Sequence, residues 1–472
     1  MKAEVSDILF NAKNSSAIFS QYNQEDVDRI VRAVFLAAFD NRVRLAEMAV
    51  EETGIGIVKD KIIKNVVATK YVYDDIKNMK TVGIINEDEN KGVIEIAQPL
   101  GPIFGIIPVT NPTSTTIFKI LISLKTRNPI IIHPHRLAAK CTEEAARICY
   151  EAAMEENAPD DCIQWISGLS RDDKADMMSH DHVALILATG GTGLVKAAYS
   201  SGTPALGVGA GNVPVFIDSS ADIDFAVGQI LASKLFDNGT ICASEQAVVT
   251  EKDISGQVIN TFKEKGAYFL NDDEIKKIEQ VAFDNEKNAM KIDVVGKSVS
   301  HIAGLANINI PEGTRILIAK LDKVGYDVPL SNEILAPILA FYVENSFDEA
   351  VNRCIELNYH GGIGHTASIF SNNDDTIKKF AFLMNAGRIV VNMPSSQGAV
   401  GVFSGLNPSF TLGCGTGGKN ITTDNITASH LLNIQRIARR REDFLHLRFD
   451  DSKYFDQSYK AKDLENEFFK NI

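Results

Sequence analysis

Nucleophilic chemistry needs a reactive side chain, and Cys242 is the first candidate. It stands in LFDNGTICASEQ (235–246), past a helix-like run and behind an Asn-Gly pair. Its neighbours are Asn238, Gly239, Thr240, Ser244 and Glu245. A polar loop loosened by glycine can expose a thiol, and nearby donors can lower its pKa. The alternative is a small core residue, the commonest use of an intracellular cysteine. Cys141, Cys149, Cys162, Cys354 and Cys414 are read in that second way. No two of the six cysteines have CxxC spacing, and a chain of 472 residues needs no disulfide staples, so a reduced compartment is expected.

Two glycine loops could bring backbone close to a ligand. ATGGTGLVKAAY (188–199) follows a predicted strand and opens a helix. There Gly190, Gly191 and Gly193 would let an anion reach the helix N-terminal amides, or would simply make a tight turn. GVGAGN (207–212) runs from one predicted strand into another, so it fails the dinucleotide fingerprint's context test. Gly207, Gly209 and Gly211 serve turn geometry, or let backbone or ligand approach Cys242.

The elements that must position these residues can be read from period. Residues 1–78 are Gly-poor with helical spacing, and QEDVDRIVRAVFLAAFDNRVRLAEMAVEETG stops at Gly54. TVGIINEDENKGVIEIAQPLGPIFGIIP then reads as strands around a polar turn, a projecting hairpin. From 129 onward strands and helices alternate, and the pattern restarts after Cys242, which predicts an α/β chain of two domains with parallel, helix-covered sheets. The cysteine falls near their junction, where clefts form.

Composition is that of a globular protein, 45% hydrophobic and 23% charged. A net charge of −13 argues against nucleic acid or an anionic membrane as partner. The N-terminus carries Glu4 and Asp7 without an apolar core, so it does not read as a signal peptide, and apolar runs break well short of a membrane span. A cytoplasmic protein is expected. His133 and His135 invite a metal reading, but no third ligand is nearby and no metal is expected.

Together, FDNGTICASEQ, PVTNPTSTTIFKILISLKTRNP, ATGGTGLVKAAYSSGTPALGVGAGNVP and GGIGHTASIF resemble the aldehyde dehydrogenase superfamily, in its order, from about residue 10 to 440. The resemblance is to its CoA-acylating branch. It implies a Rossmann-type nucleotide-binding domain (1–80 and 101–238), an α/β catalytic thiol domain (239–428), and an oligomerisation arm with a C-terminal tail (81–100 and 429–472). A homodimer or larger assembly follows from that arm.

The resemblance also assigns roles. Cys242 becomes the nucleophile toward a small aldehyde, acetaldehyde first, with succinate semialdehyde or sulfoacetaldehyde as alternatives. Asn111 joins the Cys242 backbone N–H in holding the oxyanion. His365 activates the CoA thiol or orients groups near Cys242. His133, Arg136, Gly190, Gly191, Gly193 and Gly209 serve cofactor binding, and Glu333 holds the nicotinamide ribose. NAD is the expected cofactor, with NADP open because the segment HPHR lacks the glutamate that would repel a 2′-phosphate. CoA is the cosubstrate, because Val208 stands where hydrolytic relatives carry the water-activating glutamate. A hydrolytic enzyme making a free acid is the runner-up. The arginines of RIARRRED (436–443) read as a solvated or subunit face, or as contacts to a CoA phosphate. In the tail, Leu464, Phe468 and Ile472 share one helical face, which suits packing on a subunit or assembly in a bacterial microcompartment.

Overall fold

The computed structural model describes residues 3–284, 286, 289–440 and 452–469. Helical spacing in the first segment produces the helices Ala3–Phe19, Gln24–Asp40, Arg42–Thr53 and Val58–Val66. Asn23 caps the second by accepting the Asp26 N–H, and Gly54 ends the third at φ +62, a left-handed conformation that costs glycine little. The long run that ends at Gly54 is therefore two helices, broken at Asn41.

The described chain divides into two units, Met1–Thr81 with Pro99–Leu432, and Val82–Gln98 with Asn433–Ile472. The larger contains two wholly parallel sheets. In the first, the strands run in the order Ile163–Trp165, Ile130–His133, Ile103–Ile106, Leu185–Thr189, Ala205–Val208. Strand Ile103–Ile106 lies at the centre of this sheet, and all four of its residues are buried. The chain leaves it in one direction, then returns to add strands on the other side. That reversal makes a switch point between Ile106 and Ala188, where open α/β sheets bind ligands. Both the Asn111 segment and the Gly190–Gly193 loop leave from it. Lys119, fully buried on helix Pro112–Lys125, spans the same point: its Nζ donates to the carbonyls of Ile106 and Leu187, each at 2.7 Å. Burial holds this ammonium's pKa well below the usual lysine range.

The second sheet has seven strands, ordered Ala267–Leu270, Ile316–Lys320, Ile338–Glu344, Glu245–Glu251, Val213–Ile217, Gly364–Phe370, Ala386–Val391. Strand Val213–Ile217 precedes residue 239 in sequence yet pairs here, so the crossing between sheets is made by the loop 209–212. Apolar side chains from both faces of this sheet, including Val248, Phe341 and Tyr342, form its core with residues of the covering helices such as Phe262.

The smaller unit is a three-stranded sheet. Gly83–Asp88 and Val93–Pro99 pair antiparallel around a turn closed at Gly92, and Leu432–Ala438 lies beside the second. Arg436 pairs with Glu95 at 3.0 Å, and the Arg439 N–H donates to the Gly92 carbonyl at 2.8 Å. The tail forms helix Ala461–Phe469 with none of its residues buried. Residues 441–443 of the arginine run, and Ile472, lie outside the described residues. No helix among the described residues is long and apolar enough to cross a membrane.

Candidate active site

Cys242 follows helix Ile223–Leu235 and a tight turn, and precedes strand Glu245–Glu251. The turn is held by charge. Asp237 and Asn238 adopt φ +50 and +52, a region that side-chain-bearing residues keep only when their surroundings over-determine it. Here they do. The buried Asp237 carboxylate accepts from Ile57 N at 2.6 Å, Lys61 Nζ at 3.0 Å, Lys64 Nζ at 2.5 Å and Thr240 Oγ1 at 2.6 Å. Its own N–H donates to Asp60 at 2.7 Å. Burial alone would raise the Asp237 pKa, but Lys64 and Lys61 outweigh it and hold the group below the ordinary value. Burial lowers Lys64 to about 8 against the pull of Asp237.

Lys64 carries this network to the oxyanion candidate. Its Nζ donates to Asn111 Oδ1 at 2.6 Å, and Asn111 Nδ2 donates to the Thr240 carbonyl at 3.3 Å. The Asn111 carboxamide is thereby turned toward the nucleophile loop and does not cap its own helix.

On its other side Cys242 packs against an apolar cluster that includes Val208, Ile241, Ala243 and Cys414. Val208, 2% exposed, ends strand Ala205–Val208. The thiol is half-buried, and burial, followed by the Glu333 carboxylate, pushes its pKa up to about 12. This corrects the expectation of a lowered pKa: the polar neighbours in sequence are spent on the turn, and the sulfur faces apolar groups.

The loop 209–212 lies directly on the nucleophile loop. A Cβ on Gly211 would overlap the Cys242 carbonyl oxygen and stand 3.2 Å from Cδ2 of His365, so no side chain fits there. The Gly211 N–H donates to Glu333 Oε1 at 2.8 Å, and burial raises that carboxyl's pKa to about 7. His365 is fully buried, its Nδ1 2.9 Å from Thr366 Oγ1, and its Nε2 has no hydrogen-bond partner among the described residues. Burial, with Arg388 adding to it, lowers this imidazole to about 3, so it stays neutral where an exposed histidine would titrate. Arg388 donates to the carbonyls of His365 at 2.9 Å, Gly413 at 2.6 Å and Thr423 at 2.9 Å, tying the histidine strand to the Cys414 loop.

A cleft of about 710 Å³ opens beside these loops, lined by Gly191, Gly193, Gly209, Glu333, Gly362 and Cys414 among others. Gly191 caps helix Thr192–Tyr199 with no side-chain bond, and nothing lies within 4 Å of a Cβ on Gly191 or Gly193. The first amides of that helix thus stand open to an anion, which fits a dinucleotide's pyrophosphate, with Glu333 as an acceptor for ribose hydroxyls. Gly190 lies beside this loop against Leu194. His133 and Arg136 sit at the carboxyl end of strand Ile130–His133, apart from the cleft-lining residues. His133 is buried with Nδ1 2.9 Å from the Ile166 carbonyl, and Arg136 is exposed. Among the described residues no group of three or more His, Cys, Asp or Glu could hold a metal ion.

Lys61, Lys64, Asp237 and Arg388 escape a reading of the sequence alone. The signal for the lysines, two cations three apart on one helix, has no meaning until Asp237 arrives from far along the chain.

A thiol loop set against a glycine-lined cleft at a sheet switch point defines a nucleotide-binding thiol enzyme. The chain belongs to the aldehyde dehydrogenase family, whose model matches residues 1–428. It is 45% identical over 458 residues, 96% of its length, to the bifunctional aldehyde-alcohol dehydrogenase AdhE of Escherichia coli, of which it spans about half, 51%. Over 92% of this chain and 96% of the relative it is 36% identical to the acetylating succinate-semialdehyde dehydrogenase of Clostridium kluyveri. Among solved structures, an acetylating aldehyde dehydrogenase from Geobacillus thermoglucosidasius superposes with TM-score 0.90 at 47% identity, covering 93% of this chain and 97% of that one.

Proposed function

We propose that the chain is a CoA-acylating aldehyde dehydrogenase that interconverts a short aldehyde, acetaldehyde first, and its acyl-CoA with NAD or NADP. The observation that carries this is Val208. It packs in the apolar cluster against Cys242, where a hydrolytic enzyme would need a carboxylate to activate water.

The resting thiol is protonated, and its proton passes to solvent as the sulfur adds to the aldehyde carbon to give a thiohemiacetal alkoxide. The Cys242 N–H and Asn111 Nδ2 hold the developing oxyanion. The Gly191–Gly193 loop and Glu333 would hold a nicotinamide dinucleotide, which would supply the hydride acceptor when bound. The product left on the enzyme is a thioester on Cys242, shielded by Val208 from activated water. The Nε2 of the neutral His365, unpartnered among the described residues, orients groups near Cys242, and the CoA thiol, its proton lost to solvent, displaces Cys242 through its sulfur. One thioester replaces another, so the exchange runs in both directions. The relatives named above as acetylating support this reading. An aldehyde panel with CoA and either NAD or NADP tests it. Acyl-CoA should form only with CoA present, and free acid released at the full rate without CoA would refute it.

A further inference from the structure

We propose that Gln246 is a positioning residue that sets the spacing between the nucleophile loop and the Glu333 loop, and that the hydride step depends on that spacing. The proposal rests on the functional reading above.

Gln246 is 3% exposed, four residues past Cys242 on strand Glu245–Glu251. Its carboxamide reaches in two directions. Nε2 donates to the Ser244 carbonyl at 3.2 Å and to Ser244 Oγ at 3.4 Å, which braces the segment that follows the thiol. Oε1 accepts the Ile334 N–H at 3.0 Å, one residue from Glu333. Lys234, fully buried on helix Ile223–Leu235, closes the arrangement: its Nζ donates to Gln246 Oε1 at 2.7 Å and to the Ile334 carbonyl at 2.8 Å. Both backbone polar groups of Ile334 are thus fixed by side chains anchored next to the nucleophile loop. Glu333, in turn, takes the Gly211 N–H at 2.8 Å.

The first loop carries the thiohemiacetal carbon, and Glu333 on the second would hold the nicotinamide ribose. Hydride transfer requires the two at near-attack distance, and a displacement of about 1 Å can cost about a hundredfold in rate. An apolar residue at 246 would leave the Ile334 N–H and the Lys234 ammonium without their shared acceptor, and buried groups in that state shift until they find another.

The test uses the full chain with Gln246→Leu, Gln246→Asn and Gln246→Glu. Glutamate keeps an acceptor for Ile334 and Lys234, whereas asparagine keeps the amide but shortens its reach. Three readouts apply: hydrogen exchange of the 330–336 amides, alkylation of Cys242 by iodoacetamide, and single-turnover reduction of NAD by acetaldehyde without CoA. In the leucine and asparagine variants exchange should quicken and the single turnover should slow by about a hundredfold, with alkylation at the wild-type rate. The glutamate variant should recover most of the turnover rate. An unchanged single turnover in the asparagine variant overturns the proposal. So does a slow turnover matched by equally slow alkylation, or a glutamate variant as impaired as leucine. A wild-type protein that completes the single turnover but forms no acyl-CoA would refute the acylating reading and leave this one standing.

Discussion

The two flanks of Cys242 are built on opposite principles. On one, Lys61, Lys64 and Asp237 are buried, with Lys61 and Lys64 side chains 3% exposed and Asp237 0%, and each carries more than one short polar contact. On the other, Val208, Ile241 and Ala243 offer only apolar surface. Buried charge is costly unless paired and hydrogen-bonded, so it persists where it fastens something. Here it fastens a strained turn. The apolar flank raises the thiol's pKa and presents no base to a water molecule. Charge in this site is used for placement, and the apolar side chains packed on Cys242 are used for selectivity.

The largest effect is expected at the thiol itself. Cys242→Ala should lower aldehyde-dependent NADH formation by about a thousandfold or more, because it removes the nucleophile; residual activity near wild type would refute the mechanism. On the charged flank, Lys64→Met leaves Asp237 with one ammonium and Asn111 without its anchor. It should cost about 3 to 5 kcal/mol in urea unfolding, and a variant as stable as wild type would show that the network is ornamental. On the apolar flank, Val208→Glu should raise CoA-independent release of free acid by about a hundredfold through general-base catalysis, read by titrating acid without CoA. The smallest effect sharpens the contrast. Because the thiol's pKa is pushed to about 12, its thiolate fraction should rise about tenfold per pH unit from pH 7 to 9, and Cys242 alkylation should follow. A plateau in that range would mean that the apolar flank does not govern the thiol.

Much of the architecture was legible in the sequence because it depends on local period. The alternation after residue 129 announced parallel sheets, and the turn in EDENKG announced the hairpin. Cys242 and the glycine loops were legible as candidates for the same reason, since their contexts are short. The electrostatics were not. Asn238, Thr240 and Ser244 look like activators of a thiol, but Asn238 and Thr240 are bound to Gly296 and Asp237, and Ser244 faces Gln246. Likewise His365 reads as a group titrating near neutrality, whereas complete burial beside Arg388 keeps it neutral far below that range. Burial and ion pairing depend on residues far apart in the chain, which no spacing rule reports.

The glycine contacts bear on how the molecule comes into being. Gly211 lies against the Cys242 carbonyl, Gly362 against the Asn212 backbone and Gly364 against the Cys414 carbonyl, each too close for a side chain. Backbone seated on backbone tolerates no partial docking, and the segments involved are distant in sequence, the kind of contact that forms late in folding. The thiol therefore acquires its surroundings only when the last of these loops has seated. During refolding, catalytic activity should return with the slowest phase, after the sheets have formed, and until then Cys242 is an ordinary cysteine.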